Sequence, residues 1–347
     1  MSVCSLCQRT DLSSLNCTCG KVAYCGQECQ RLDWDRHKTD CPLLVVRPVE
    51  GKGMGLFTTR KVKAGRMLLK EKPLLLMEYE DEEDQKDKYM PMTTIEAEFN
   101  KLSVEDKNKI YGLRSLEGPV ASMKDVHDQN SIKLGNIIGA NAYEIKYQNG
   151  EVKMAVYEKH MRINHSCKPN VSKASWSSWT SGEPGAGDIL VVKALQDLPK
   201  NTELLNNYLD DQLRVFKTRT ERRTELMRDW GFLCKCEVCS LTGKDLENNE
   251  LIRRKLKENS KLMIQSVELS YKRIKTLDDF MKDYEVLAEM LDLMEKIQPE
   301  ETFKVPGVLS KIAEISDFIV LHGGKVPMHN SGYYRENSRK MKQLLFG

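Results

Sequence analysis

All eleven cysteines of this 347-residue chain lie in short groups whose spacing suits zinc ligands. Tetrahedral zinc needs four thiolate or imidazole ligands, and a turn between two nearby cysteines presents two thiolates together. His37 lies four residues before Cys41 and completes a set of twelve candidate ligands, enough for three sites. The set is Cys4, Cys7, Cys17, Cys19, Cys25, Cys29, His37, Cys41, Cys167, Cys234, Cys236 and Cys239. The pattern predicts two zinc ions near the beginning of the chain and a third that joins Cys167 to the last three cysteines.

Disulfide bonds are the alternative use of these cysteines. An odd number would leave one cysteine unpaired, and the first ten residues, MSVCSLCQRT, lack the apolar core of a secretory signal. We therefore expect zinc rather than disulfides. Zinc-bound thiolates in turn predict a reducing compartment, which means the cytoplasm, the nucleus or both.

The composition is that of an ordinary globular protein, with 40% hydrophobic and 30% charged residues. No apolar run is long enough for a membrane helix, so no membrane partner is expected. The 54 basic and 51 acidic residues leave a formal net charge of +3, which does not favour nucleic acid as the main partner. A DNA-binding zinc protein is a further alternative, and Asp33 and Asp35 in the predicted helix of the first zinc module argue against it.

Short helices and strands must position these ligands. Residues 1–44 contain eight of the twelve ligands and few apolar residues, so this segment is expected to fold around metal. Within it, Glu28–Lys38 has the spacing of a helix that carries Trp34 on the same face as His37 and Cys41.

Alternating and helical patterns continue along the rest of the chain. Strands are predicted at 43–46, 55–58, 67–73, 142–147, 153–157, 171–176 and 189–195. Helices are predicted at 93–116, 213–230, 246–270, 276–297 and 308–322. Ser103 is a predicted N-cap, and the charged segment 78–88 is expected to be a solvated loop.

The segment Arg162–Asn170, RINHSCKPN, combines an Asn-His pair, a thiol and a proline within nine residues. By itself it could be a polar turn with a structural histidine. Three further motifs accompany it, namely GKGMG at residues 51–55, ELLNNY at 203–208 and the cysteines of 234–239. Together these motifs resemble a SET domain, and the N-terminal zinc segment resembles a MYND finger. The chain thus resembles the SET and MYND domain-containing (SMYD) lysine methyltransferases.

The resemblance implies an α+β multidomain fold. Its parts would be a MYND zinc finger at 1–44, a β-rich SET domain at 45–80 and 136–232 with a helical insertion at 81–135, a zinc-binding post-SET cluster at 233–243 and an all-α C-terminal domain at 244–347.

The resemblance also implies how the zinc ligands pair. In MYND fingers the ligands interleave, which assigns Cys4, Cys7, Cys25 and Cys29 to one ion and Cys17, Cys19, His37 and Cys41 to the other. Cys167 would join Cys234, Cys236 and Cys239 in the post-SET site. One residue separates Cys17 from Cys19 where the family commonly has two, so the second finger site departs from the family pattern.

The glycines of residues 51–55 are not those of a nucleotide loop, because the third glycine of a dinucleotide site and the Gly-Lys-Ser/Thr ending of a P-loop are both missing. In the resemblance they approach S-adenosylmethionine, since glycine lets a ligand reach the backbone. The implied cofactor-binding residues are Gly53, Met54, Gly55, Asn141, Asn164, His165, Tyr208 and Phe232. The implied catalytic residues are Tyr208, Trp230 and Phe232.

Tyr208 would orient the lysine amine, while Trp230 and Phe232 would form an aromatic wall along the lysine side chain. Trp230 stands where the family usually has a tyrosine, so one hydroxyl is missing.

The function that follows is methyl transfer from S-adenosylmethionine to a lysine side chain of a histone or another protein. The alternative is a weak or inactive SET-MYND scaffold that binds proline-containing peptides through the finger. We expect a monomer with three zinc ions and a protein partner that presents an accessible lysine.

Overall fold

The computed structural model describes residues 3–10, 15–17, 22–79, 90–116, 128–147, 151–175, 188–209, 216–272, 276–297 and 315. Its contacts divide the chain into two compact units. The first is Met1–Asn164 with Lys173–Leu204, and the second is His165–Ser172 with Leu205–Gly347. None of the described helices is long and apolar enough to span a membrane.

The described elements mix strands and helices, which confirms the α+β class. The strands are β1 (Leu15–Asn16), β2 (Ala23–Tyr24), β3 (Leu44–Val49), β4 (Gly53–Thr58), β5 (Met67–Glu71), β6 (Leu75–Glu78), β7 (Tyr143–Lys146), β8 (Val152–Val156), β9 (Asn164–His165), β10 (Val171–Ser175), β11 (Leu190–Ala194) and β12 (Leu205–Asn206). The helices are α1 (Gln27–Asp40), α2 (Met92–Asn100), α3 (Val104–Tyr111), α4 (Gln129–Asn141), α5 (Arg219–Trp230), α6 (Gly243–Lys272) and α7 (Leu277–Ile297).

The N-terminal segment folds around its ligands, as predicted. Its buried cluster consists of Cys4, Cys17, Tyr24 and Cys41, so three of its four members are candidate ligands. Helix α1 spans the predicted range 28–38 and continues to Asp40. Cys41 caps the helix, and its backbone N–H donates to the His37 carbonyl at 2.8 Å.

Strands β3 and β4 form an antiparallel hairpin that carries the glycine motif. Val49 pairs with Gly53, and the Lys52 N–H donates to the Val49 carbonyl at 3.1 Å across the turn. Gly51 and Gly53 have φ angles of +69° and +76°, a region that glycine enters without steric cost. Because the tight turn lets pairing begin at once, β4 starts at Gly53 rather than at the predicted Gly55.

Two further sheets belong to the first unit. Strand β11 pairs antiparallel with β5, and β8 pairs antiparallel with both β6 and β7. Strands β5, β7, β8 and β11 lie within two residues of the predicted ranges, whereas β6 was not predicted. Glu78, the first residue of the predicted charged loop, ends β6, and residues 80–89 lie outside the described part of the chain.

The predicted helical insertion contains α2, α3 and α4. The predicted segment 93–116 divides at Ser103, whose Oγ accepts the Asp106 N–H at 3.1 Å and so begins α3. Helix α4 was not predicted, and it continues past residue 135 to Asn141. It begins after Asp128, which accepts the Ser131 N–H at 2.8 Å, and it buries Leu134, Ile137 and Ile138 in the core of the insertion.

Helix α5 of the second unit begins with a capping box, in which Thr218 and Glu221 exchange hydrogen bonds with each other's backbone N–H. The Thr218 N–H and the Lys257 ammonium lower the pKa of Glu221 to about 2. The predicted helix began at residue 213, but residues 216–218 precede α5. The prediction is wrong there because the cap sets the first residue of the helix at Arg219. Gly231, at φ +66°, ends the helix.

Helices α6 and α7 share an apolar core, as their periodicity predicted. The buried members are Leu256, Tyr284, Leu287, Met290, Leu291, Leu293, Met294 and Ile315. Ile315 is helical, and the rest of the predicted helix 308–322 lies outside the described residues.

Candidate functional site

The first finger cluster brings together Cys4, Cys7, Cys25 and Cys29. The Sγ atom of Cys25 lies 3.5 Å from that of Cys7 and 3.5 Å from that of Cys29. Cys29 comes from α1, whereas Cys4 and Cys7 come from the segment before β1. This is the interleaved pairing that the sequence resemblance implied.

The second finger cluster contains Cys17, His37 and Cys41. His37 Nε2 lies 3.3 Å from Cys17 Sγ, and the Sγ atoms of Cys17 and Cys41 are 4.0 Å apart. The fourth predicted ligand, Cys19, lies outside the described residues. The ring of Trp34 lies 6.3 Å from that of His37, so the predicted helix face is confirmed.

Hydrogen bonds to the buried carboxylate of Asp33 hold helix α1 in place near the second cluster. Tyr24 donates its hydroxyl to Asp33 at 2.8 Å, and Arg36 donates to the same carboxylate through two bonds of 2.7 Å. The Arg36 guanidinium lowers the pKa of Asp33 against the opposing effect of burial. Sequence reasoning placed Asp33 among surface charges and missed this role.

The third cluster lies in the second unit and joins Cys167 to Cys234, Cys236 and Cys239. The Sγ atoms of Cys167 and Cys239 are 3.5 Å apart, and both residues are fully buried. Lys168 and Glu237 form an ion pair at 3.5 Å beside the cluster.

All three clusters fit zinc. A zinc–sulfur bond of about 2.3 Å in a tetrahedral site puts neighbouring sulfur atoms roughly 3.8 Å apart. The separations of 3.5–4.0 Å agree with that geometry, and none of the described cysteines forms a disulfide bond. The donor sets of four thiols, or of thiols with one imidazole, are those that zinc prefers.

The glycine hairpin of the first unit presents open backbone on one side and close packing on the other. A Cβ at Gly53 would meet no atom within 4 Å, whereas a Cβ at Gly55 would lie 2.6 Å from Val49 Cγ2 and 3.1 Å from Glu203 Oε1. Met54, between them, is 41% exposed. The hairpin can therefore admit a ligand at Gly53, while Gly55 is needed for packing.

Glu203 joins this hairpin to the Asn-His motif. Asn164 Nδ2 donates to Glu203 Oε1 at 2.8 Å and to the Met54 carbonyl at 3.2 Å. Lys52 Nζ lies 3.4 Å from the other carboxylate oxygen. Glu203 belongs to the ELLNNY motif, and no spacing signal in the sequence indicates that it contacts the hairpin.

Asn141 is buried at the end of α4. Its Nδ2 donates to the Arg114 and Ile137 carbonyls, each at 2.7 Å. Both amide hydrogens are thus used within the protein, which leaves the carbonyl oxygen as the atom that could contact a ligand.

His165 and Tyr208 lie together in the second unit. The Tyr208 N–H donates to His165 Nδ1 at 3.1 Å, so the ring proton resides on Nε2, which faces Cys167 Sγ at 3.4 Å. One imidazole thereby connects the Tyr208 segment to the third cysteine cluster. The two rings are 5.3 Å apart between centroids.

Trp230 and Phe232 complete an aromatic group with these rings. The ring of Tyr208 lies 5.6 Å from Trp230 and 6.4 Å from Phe232, and Phe232 lies 5.8 Å from His165. Gly231 separates the two residues in a left-handed turn, which directs both of them to the group. All three predicted catalytic residues thus lie beside the third cluster.

Comparison with known proteins gives two family matches. Residues 53–209 match the SET domain, and residues 4–41 match the MYND finger. The human N-lysine methyltransferase SMYD2 is 26% identical over 88% of this chain, and the chain spans only 63% of that protein's length. The fission yeast histone-lysine N-methyltransferase set5 is 26% identical over 60% of this chain and 54% of its own length.

A solved SET domain of LSMT, bound to lysine and AdoHcy, aligns with 91% of this chain and 93% of its own at 10% identity. Its TM-score of 0.31 is too low to support any statement about the site. The comparison with the family depends instead on the two sequence matches, at residues 4–41 and 53–209. The chain thus combines a MYND finger with a SET domain, the combination that gives the SET and MYND domain-containing (SMYD) family its name.

Proposed function

We propose that this chain is an S-adenosylmethionine-dependent protein-lysine methyltransferase acting on a histone or another protein. The observation that carries the proposal is the bond from the Tyr208 N–H to His165 Nδ1 at 3.1 Å. It joins the two motifs that the resemblance assigns to the active site, and it does so beside Trp230 and Phe232. The relatives named as lysine methyltransferases support the same activity.

In this proposal the cofactor contacts come from open backbone and polar side chains. The backbone at Gly53 and Met54 would approach S-adenosylmethionine, and Gly55 would keep the hairpin closely packed. Asn164 would be oriented by its bond to Glu203. The remaining proposed contacts are Asn141, His165, Tyr208 and Phe232.

S-adenosylmethionine, when bound, supplies an electrophilic methyl group, which only the neutral form of a lysine amine can accept. A lysine with a reference pKa of about 10.4 is mostly charged at neutral pH. The aromatic rings of Tyr208, Trp230 and Phe232 would exclude water, which lowers the pKa of a lysine amine that they surround. They would also pack along its aliphatic stem, and the Tyr208 hydroxyl would orient the amine.

We also propose three bound zinc ions, one in each cysteine cluster. Because the buried core of the finger consists largely of its ligands, zinc would supply folding free energy there. Cys167 and the distal cysteines would hold the loop that follows Phe232. Metal analysis of the purified chain tests this directly, since two ions per chain would contradict the third site.

The activity is tested by transfer of labelled methyl groups to proteins of a cell extract. We expect labelling by the zinc-loaded wild type and its loss in Tyr208→Phe and Asn164→Ala. Cofactor binding must be measured on the same samples. Wild-type protein that binds no S-adenosylmethionine would contradict the proposal.

A scaffold function is the second candidate, and Trp230 is the observation that favours it. The tryptophan removes the hydroxyl that the family usually has there, and the finger exposes Leu32 and Trp34 on α1. Such a scaffold would bind proline-containing peptides at the finger. Cofactor binding without methyl transfer to any offered protein, together with peptide binding lost in Trp34→Ala, would favour this candidate.

A further inference from the structure

Three arginines of α5 contact the loop that carries the distal cysteines. Arg219 Nη1 donates to the Leu241 carbonyl at 3.0 Å, and Arg223 donates to the carbonyls of Cys234 and Cys239, both at 3.0 Å. Arg222 Nη2 lies 3.6 Å from the Sγ of Cys239 itself. Positions three and four apart share one face of a helix, so α5 presents all three side chains to the same loop.

Arg222 differs from its neighbours because it is almost completely buried, at 1% exposure. Its Nη1 donates to the Lys217 carbonyl at 2.7 Å, and its Nε has no hydrogen-bond partner. No carboxylate of the described residues forms an ion pair with it. The groups that balance its charge are the sulfur atoms of the third cluster.

Charge compensation explains why an arginine is buried there. A zinc ion with four thiolates carries a net charge of about −2, and a buried charge is costly unless it is paired. A guanidinium close to one thiolate offsets part of that charge and donates to its sulfur. The same contact offsets the free-energy cost of removing the guanidinium from water, which an apolar contact would not do.

We propose that Arg222 is a positioning residue that stabilises the third zinc site by its charge. The inference depends on the proposed binding of zinc to Cys167, Cys234, Cys236 and Cys239. Arg223 then fixes the backbone at both ends of the same loop, so the two arginines hold the segment that follows Phe232. Arg222 acts through the zinc ligands rather than on a substrate.

The test compares zinc retention in Arg222→Met, Arg222→Lys and wild type. Methionine fills a similar volume without charge, whereas lysine keeps the charge. Each full-length, zinc-loaded protein is mixed with a zinc chelator, and alkylation of each cysteine peptide is followed by mass spectrometry. The finger thiols serve as an internal reference, because they belong to the other compact unit. Arg228→Met, an exposed position on the same helix, is the matched control.

We expect Arg222→Met to expose the thiols of Cys234, Cys236 and Cys239 about 10–100 times faster, the usual effect of losing an outer partner of a metal ligand. Arg222→Lys should recover most of the retention, and Arg228→Met should behave as wild type. The inference would be overturned if Arg222→Met retained zinc as well as wild type, or if Arg222→Lys lost zinc as fast as Arg222→Met. Side-chain volume or hydrogen bonding, rather than charge, would then explain why an arginine occupies this position.

Two further outcomes remain decisive. If Arg222→Met does not fold, Arg222→Gln replaces it, since glutamine keeps a donor without the charge. Wild-type protein with only two zinc ions would contradict the zinc proposal itself and not the reasoning about charge. Cobalt substitution adds a spectroscopic check, because the thiolate bands of the third site should change in Arg222→Met and return in Arg222→Lys.

Discussion

Gly55→Ala tests whether the conformation of the glycine hairpin requires a residue without a side chain at position 55. Gly55 pairs with Arg47 across the hairpin and does not have a left-handed φ, so backbone strain is not involved. A Cβ there would lie 2.6 Å from Val49 Cγ2 and 3.1 Å from Glu203 Oε1. Carbon atoms in favourable contact are about 3.5–4.0 Å apart, so Val49 must move by about 1 Å.

Overpacking of this kind costs about 1–3 kcal/mol of stability. Glu203 Oε1 also accepts the Asn164 amide at 2.8 Å, so displacement of the carboxylate should disturb Asn164 as well. We expect the affinity for S-adenosylmethionine to fall about tenfold, which corresponds to about 1.4 kcal/mol. Calorimetric titration and thermal unfolding of the zinc-loaded chain measure the two effects.

Val49→Ala supplies the compensating change, because it removes the Cγ2 atom that a Cβ at Gly55 would meet. The double variant should lose less than the sum of the two single losses. Gly26→Ala is the control, since a Cβ there meets nothing within 4 Å and the backbone is extended. Wild-type affinity and stability in Gly55→Ala, or strictly additive losses in the double variant, would refute the reasoning.

The remaining predictions concern catalysis, capping and metal. Tyr208→Phe should keep S-adenosylmethionine binding but lower the methyl-transfer rate about 100-fold or more, as loss of an orienting polar group does in other active sites; an unchanged single-turnover rate would contradict the role. Trp230→Phe leaves more space beside Tyr208, so mass spectrometry of the product should find a larger fraction of di- and trimethyllysine, and an unchanged distribution would contradict this. Thr218→Ala removes the capping box of α5 and should lower the free energy of unfolding by about 0.5–2 kcal/mol in urea, with Thr224→Ala, at an exposed position within the same helix, as a control; equal stability would argue against the cap. Chelation should release zinc and unfold the finger, and circular dichroism that did not change after complete zinc removal would contradict folding around metal.

The zinc clusters could be predicted from sequence because ligand spacing is local. Cys-x-x-Cys turns and the His37–Cys41 pair on one helix each require only a turn of backbone. The pairing of distant ligands, such as Cys4 with Cys25, came from the family resemblance, since spacing alone allows several partitions. Ser103 was likewise predictable, because an N-cap needs only the residues that follow it.

Contacts between distant segments could not be predicted in this way. Glu203 contacts Asn164 and the hairpin because three segments that are distant in sequence meet, and the chain offers no periodic signal for such a meeting. Asp33 lies in a polar helical segment of the kind usually found at a protein surface, and only tertiary packing buries it against Tyr24. Helix α4 was missed because buried Gly135, Asn136 and Asn141 interrupt its apolar pattern.

Arg222 is an intermediate case. Arginines at 219, 222 and 223 share a helix face shortly before a cysteine cluster, and that spacing is visible in the sequence. Their target was not visible, because it depends on how the loop after Gly231 folds back on the helix.

The most direct test of the account is titration of the full-length, zinc-loaded chain with S-adenosylmethionine, with Asn164→Ala and Tyr208→Phe as paired variants. We expect one cofactor bound per chain, at least tenfold weaker binding in Asn164→Ala, and binding close to that of wild type in Tyr208→Phe, which should fail only in methyl transfer. A wild-type chain with all its zinc that binds no S-adenosylmethionine would contradict the central claim.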